Sequence, residues 1–227
     1  MRPAWANLFF AMADEDSTSD EALLSQDIDR FRHSVGRFVL QFSDVEAMLQ
    51  TVVWHFAGIA PPIAQAVFPG IRIEAAMTYM NRIADARKWN DAEKSGFEYI
   101  FLQLGMINKL RNDILHYGAT LDLDNVGHWL VTNELVAHIP EKIRTTRISA
   151  TTLDDASSDL HKIGSHLIIL TWGDSMPPEA HNFYEAELAR AWQYKPQQQA
   201  GDPSTTRKTP QERQRRQRPS RGKPPDR

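Results

Sequence analysis

Residues 24–56, LSQDIDRFRHSVGRFVLQFSDVEAMLQTVVWHF, place apolar side chains at Leu24, Ile28, Phe31, Val35, Phe38, Phe42, Val45, Leu49, Val52 and Phe56, spaced 4-3-4-3-4-3-4-3-4. Alternating steps of four and three keep these side chains on one stripe of an α-helix, and a stripe that holds over 33 residues needs a partner surface along its whole length. The expectation is one helix about 50 Å long, at about 1.5 Å of rise per residue, packed in a bundle. The polar stretch Asp14–Asp20, rich in helix-capping residue types, leads into it. Pro61-Pro62 ends it, if Gly58 has not already done so.

Outward from this helix the same period recurs. Ile73, Met77, Met80, Ile83 and Ala84 predict a second helix over about 71–89, and Asn90 with Glu93 offers a capping box for a third. That third helix carries Phe97, Ile100, Phe101, Leu104, Ile107, Leu110, Ile114 and Leu115 and stops at Gly118. From Ala119 to Ser149 the period changes: Leu121 and Leu123 alternate with acids, and the runs 129–131 and 135–139 sit between Gly127, Asn133 and Pro140. This predicts a small β-hairpin or three-stranded flap. Leu153, Ala156, Leu160, Ile163, Leu167 and Leu170 predict a further helix closed by Pro177-Pro178, and residues 183–192 a short amphipathic one. The fold class expected is all-α: an antiparallel helical bundle over 20–195 with a long first helix and a β flap at 119–149. A flexible leader, 1–19, precedes it and a disordered basic tail, 196–227, follows.

The composition, 227 residues with 41% hydrophobic and 24% charged, is that of a globular protein, and no run approaches the roughly 18 apolar residues needed to span a bilayer. The opening Met1-Arg2-Pro3 and Ala11-Met12-Ala13 imitate a secretory signal, but the apolar part is short and broken by Asn7. With no cysteine, the chain has no thiolate metal site, thiol nucleophile or disulfide, and a cytoplasmic protein is expected. The net charge of −3 conceals a split: residues 196–227 hold nine Lys/Arg against three Asp/Glu, a net +6, leaving −9 on the other 195 residues. The tail has six prolines and no aromatic residue, so burial cannot offset the entropy of ordering it. It serves either to attract RNA or another polyanion, or simply as a solubilising terminus.

One helix breaks its own pattern. The apolar series through Leu104 and Ile107 next falls on Arg111, which brings a guanidinium towards the core, where a charge needs a partner. Asn112 and His116, four apart and about 40° from one another around the axis, form a polar stripe beside it. His116 also precedes the presumed cap, where the carboxyl end of a helix favours an imidazolium by up to about 2 kcal/mol. A forked, permanent cation near a titratable imidazole suits phosphodiester chemistry. The same residues also suit a purely structural network. Glu46 flanks the first helix's seam and is a candidate partner for Arg111, or else surface polarity. His161 and His166, near Asp155 and Asp159, sit five apart on a helix and point about 140° away from each other, so no metal site is expected there. With no Gly-rich phosphate loop in the sequence, no cofactor is expected either.

Arg111-Asn112-Asp113-Ile114-Leu115-His116 resembles the Arg-x4-6-His motif of the HEPN superfamily in its Arg-Asn-x-x-x-His form, late in a helix of an all-α bundle. The phrase Phe42-Ser43-Asp44-Val45-Glu46-Ala47-Met48-Leu49 is similar to the long early helix that packs on the motif helix in such proteins. The resemblance spans roughly residues 20–175. It implies a metal-independent endoribonuclease, a toxin or phage-defence and abortive-infection effector, with its site where two HEPN units meet in a homodimer. By that resemblance His116 moves the proton, Arg111 binds the scissile phosphate and Asn112 orients one of them, giving a 2′,3′-cyclic phosphate and a 5′-hydroxyl. Family toxins paired with nucleotidyltransferase antitoxins carry a tyrosine two residues after the His. Here that place is Gly118 and Tyr117 stands one earlier, so regulation through that tyrosine does not carry over.

Two classes of function remain. One is an RNA-cleaving homodimer, with an antitoxin or defence-operon partner and no membrane association. The other is a non-catalytic helical module of the same fold that dimerises or binds a nucleotide or partner. The acidic body, without an evident basic groove, weighs against the first, and the intact motif for it.

Overall fold

The computed structural model describes residues 17–196, apart from the side chains at 17–20, 92, 93 and 140. The tail and nearly all of the leader lie outside the described residues, as does the Glu93 half of the expected capping box.

Helix α1, Ser17–Ala57, is the long helix the seam demands, 41 residues and about 60 Å at about 1.5 Å each. It begins three residues inside the expected leader. Phe31, Phe38, Phe42, Val45, Leu49 and Val52 are all buried, so the 4-3 stripe is the core side of the helix. Along that stripe runs α5, Ala150–Trp172, whose Leu153, Ala156, Leu160, Ile163 and Leu167 are inaccessible to solvent. Burying a side chain of this size contributes about 1.5–3 kcal/mol, so this pair of helices is the main source of cohesion. Helices α3, Ile73–Ala86, and α4, Asp91–Tyr117, complete the layer, with Phe97, Ile100, Leu104, Ile107 and Ile114 facing in.

Gly58, at φ +69, ends α1 by donating its N–H to the Trp54 carbonyl at 3.2 Å. Pro61-Pro62 does not merely terminate: it opens a helix the sequence reading left out, α2, Pro61–Val67. Proline is well placed in a first turn, where its missing N–H would have had no partner.

The flap is a three-stranded antiparallel sheet in the order β1, Thr120–Leu121, β2, His128–Thr132, and β3, Thr145–Ser149. Trp129 pairs with Ile148 and Val131 with Thr146 across β2 and β3; Trp129, Val131 and Ile148 are buried, and Trp129 stacks on Phe31 at 3.8 Å. The run 135–139 is not a strand, against expectation. It belongs to a loop, with Leu135 98% exposed, because Asn133 closes 133–144 on itself: its Oδ1 accepts from the Arg144 N–H at 2.7 Å and its Nδ2 donates to the Lys142 carbonyl at 3.2 Å. Leu123 is likewise exposed, on a turn that Asp122 organises by accepting from Asn125 and Arg147. Ser149 then caps α5 through a capping box with Thr152.

The last helix, α6, Pro178–Leu188, starts and stops earlier than 183–192. Residues 190–196 instead form a strap. Asp159, fully buried on α5, accepts from Gln103 at 2.8 Å and from the backbone N–H groups of Gln193 and Tyr194 at 2.9 Å each. Beside it Lys162 donates to the Arg190 carbonyl and lies 4.3 Å from the Trp192 ring centroid, while His166 stacks against the same indole. Asp159 and His166 are thus spent on the strap, and His161 faces a separate cleft between α1, α5 and α6. Among the described residues no helix is long and apolar enough to cross a membrane.

Candidate active site

The last turns of α4 divide into two faces. Leu104, Ile107, Leu110 and Ile114 bury one, and Asn108, Asn112 and His116, at intervals of four, form a polar line on the other, with Arg111 between. Gly118 fixes where this line ends: at φ +72 it donates its N–H to the Ile114 carbonyl at 2.9 Å and turns the chain into the sheet. The backbone is left-handed there, which glycine adopts without strain.

The polar line opens into a cleft of about 550 Å³ whose other walls are Glu46 and Gln50 of α1 and Arg72 and Glu74 at the start of α3. Arg111, Asn112, His116 and Glu46 therefore line one cleft. Asn108, 9% exposed, ties α4 to α3 by donating to Glu74 Oε1 at 2.6 Å. Gln50 Nε2 donates to the Phe68 carbonyl at 3.2 Å, holding the α2–α3 connection against α1.

Arg111 is half-buried, and its partner is not Glu46, the candidate carboxylate. Its guanidinium carbon lies 5.1 Å from the centroid of the Phe42 ring, and Nη1 donates to Asn112 Oδ1 at 3.0 Å. Glu46 lines the same cleft without forming an ion pair with it. A cation over an aromatic face is stabilised by the ring quadrupole, which lets the fold hold the charge while its remaining donors stay uncommitted. Nε is buried and has no partner. Asn112 consequently orients Arg111 rather than His116. The His116 ring is exposed at the mouth, where its described contact is with the Tyr117 ring at 6.5 Å between centroids.

Tyr117, which follows His116 in the chain and is a second candidate supporting residue beside Glu46, does not enter this cleft. One residue further round α4 it faces a neighbouring cleft on the sheet side. Arg72, Glu74, Gln50 and Asn108 were missed by the sequence reading. Asn108 could have been found by continuing the Asn112–His116 stripe back one turn, whereas Arg72 and Glu74 come from a helix start 40 residues away with no local signal. Among the described residues no three His, Asp or Glu side chains gather as metal ligands would.

The cleft can offer a forked cation, an imidazole open to solvent and two carboxylates to one bound group. No family model, no curated protein and no solved structure matches the chain.

Proposed function

We propose that the protein is an endoribonuclease of HEPN type, acting without a metal ion at a site completed by a second copy of the chain. The observation that carries the reading is the convergence of Arg111, Asn112 and His116 on one cleft at the end of α4. In the proposed reaction the ribose 2′-oxygen attacks phosphorus while its proton passes to a base, and the bond to the 5′-oxygen breaks as that oxygen takes a proton. The products are a 2′,3′-cyclic phosphate and a 5′-hydroxyl. Arg111 binds the non-bridging phosphate oxygens, its plane set by Phe42 and Asn112. His116 transfers a proton; two such transfers are needed, and a two-fold dimer supplies two imidazoles. The setting in which such an enzyme would work, as a cytoplasmic toxin or phage-defence effector restrained by an antitoxin or operon partner, belongs to the same proposal.

A second reading has its own observation. Arg111 already packs on Phe42 and bonds Asn112, as it would in a helical module that binds a partner or nucleotide without cleaving it. Incubating the full chain with single-stranded RNA and with DNA of the same sequence, in excess chelator, separates the two. The enzyme reading expects RNA fragments ending in cyclic phosphate and intact DNA, which has no 2′-hydroxyl. Intact RNA, or cleavage only with a divalent ion, contradicts it.

A further inference from the structure

The cleft that Tyr117 faces gathers three basic side chains in an otherwise acidic body: Lys109 of α4 and Lys142 and Arg144 from the loop before β3. Of these, Lys109 is neutralised by Asp113, 2.8 Å away, while Lys142 and Arg144 form no ion pair among the described residues. Their backbone is fixed nonetheless, since the Asn133 side chain bonds both residues and the Asn133 N–H donates to the Arg144 carbonyl at 3.2 Å. Two uncommitted cations are therefore presented on a clamped loop, beside a tyrosine ring that is 40% exposed. Val131 and Thr146, paired across β2 and β3, form the floor, and the cleft measures about 290 Å³.

We infer that this second cleft binds a nucleotide of single-stranded RNA, its base stacked on Tyr117 and its phosphate between Lys142 and Arg144, next to the nucleotide held at Arg111 and His116. Phosphate needs unpaired cations, and a base of any sequence can lie on an aromatic face. A protein ligand with acidic side chains would use the cations but leave Tyr117 without a role. Continuity with the first cleft is covalent: His116 and Tyr117 are consecutive, with ring centroids 6.5 Å apart, so adjacent nucleotides of one strand can occupy both. The inference rests on the proposed function for its direction along the strand, but its test reads binding and not cleavage.

The probe is a fluorescent, single-stranded 2′-O-methyl oligoribonucleotide, which cannot form the cyclic phosphate, titrated with the full chain at several salt concentrations. Replacing Lys142 and Arg144 together by Gln should lower the slope of log affinity against log salt by about 0.7, the contribution of the one phosphate they share on a single strand. Tyr117→Ala should weaken binding about 5- to 150-fold, and Tyr117→Phe should restore it, because stacking needs the ring and not the hydroxyl. Arg82→Gln with Lys88→Gln, which removes the same charge from the last part of α3 and the turn after it, should leave the slope unchanged. The inference is overturned if the parent does not bind the oligonucleotide, if the Lys142/Arg144 variant keeps the parent's slope, or if Tyr117→Ala binds as the parent does. A chain that binds in this pattern yet leaves ordinary RNA intact would sink the catalytic reading and keep this one.

Discussion

The contact between Arg111 and Phe42 is the joint between fold and proposed chemistry, and Phe42→Leu tests it. Phe42 is 1% exposed, its ring lies 6.3 Å from that of Phe38, and the Arg111 guanidinium stands 5.1 Å from its centroid. Leucine keeps the site apolar at a cost of about 1 kcal/mol for imperfect volume matching. Losing the aromatic pair adds about 0.5–1.5 kcal/mol, and losing the cation–π contact about 0.5–2 kcal/mol. The expected total is about 2–4.5 kcal/mol, read by urea unfolding with the fluorescence of the chain's six tryptophans. Arg111→Met should sit near the parent in stability, since it removes the cation–π gain but also a buried, unpartnered Nε. The two together isolate the joint: the double variant should be less destabilised than the sum of the singles by about 0.5–2 kcal/mol. A coupling below about 0.3 kcal/mol, the scatter of independent sites, would refute the claim that Phe42 holds the guanidinium.

Other consequences follow from the same contacts. Asp159→Asn puts an amide where three donors converge on a carboxylate, so it should cost about 2–4 kcal/mol and free residues 190–196 to proteolysis, with Trp192 fluorescence shifting red. Burial, with help from Lys162, pushes the His166 imidazole down to about 4 from 6.5. Unfolded chains take up that proton at higher pH than folded ones, so stability should fall as pH drops from 6.5 to 4, and His166→Phe should flatten that part of the urea-midpoint profile. Light scattering should report a dimer at micromolar concentration, because one chain presents a single His116; full activity from a chain that is monomeric throughout would contradict the shared site.

The sequence carried much of this architecture because helices announce themselves locally. The 3.5-residue stripe of α1 maps onto buried side chains, and the same period marks α3, α4 and α5. Where long-range contacts decide, the reading failed. Residues 135–139 look like a strand by composition, yet the Asn133 clamp diverts them into a loop, and the strand falls on Thr145–Ser149, where only Ile148 is buried. Pro61-Pro62 has two grammatical uses in a helix, stop and start, and here it is the second. At the site, Arg111, Asn112 and His116 were legible because one helix carries them. Arg72 and Glu74 reach the cleft from the start of α3, and the basic side chains of the second cleft come together from α4 and the loop before β3. Glu46 is legible only as a candidate partner for Arg111, and the guanidinium lies over the ring of Phe42 instead, a contact set by packing between α1 and α4.

The central claim is that His116 moves a proton in RNA cleavage, and the rate of His116→Ala tests it most directly. The imidazole is exposed and makes no hydrogen bond among the described residues, so the variant should unfold at the parent's urea concentration. Measured on single-stranded RNA in excess chelator, its rate should fall about 10²- to 10⁴-fold, the contribution of a positioned acid or base. A folded His116→Ala chain that cuts RNA as fast as the parent would contradict the account.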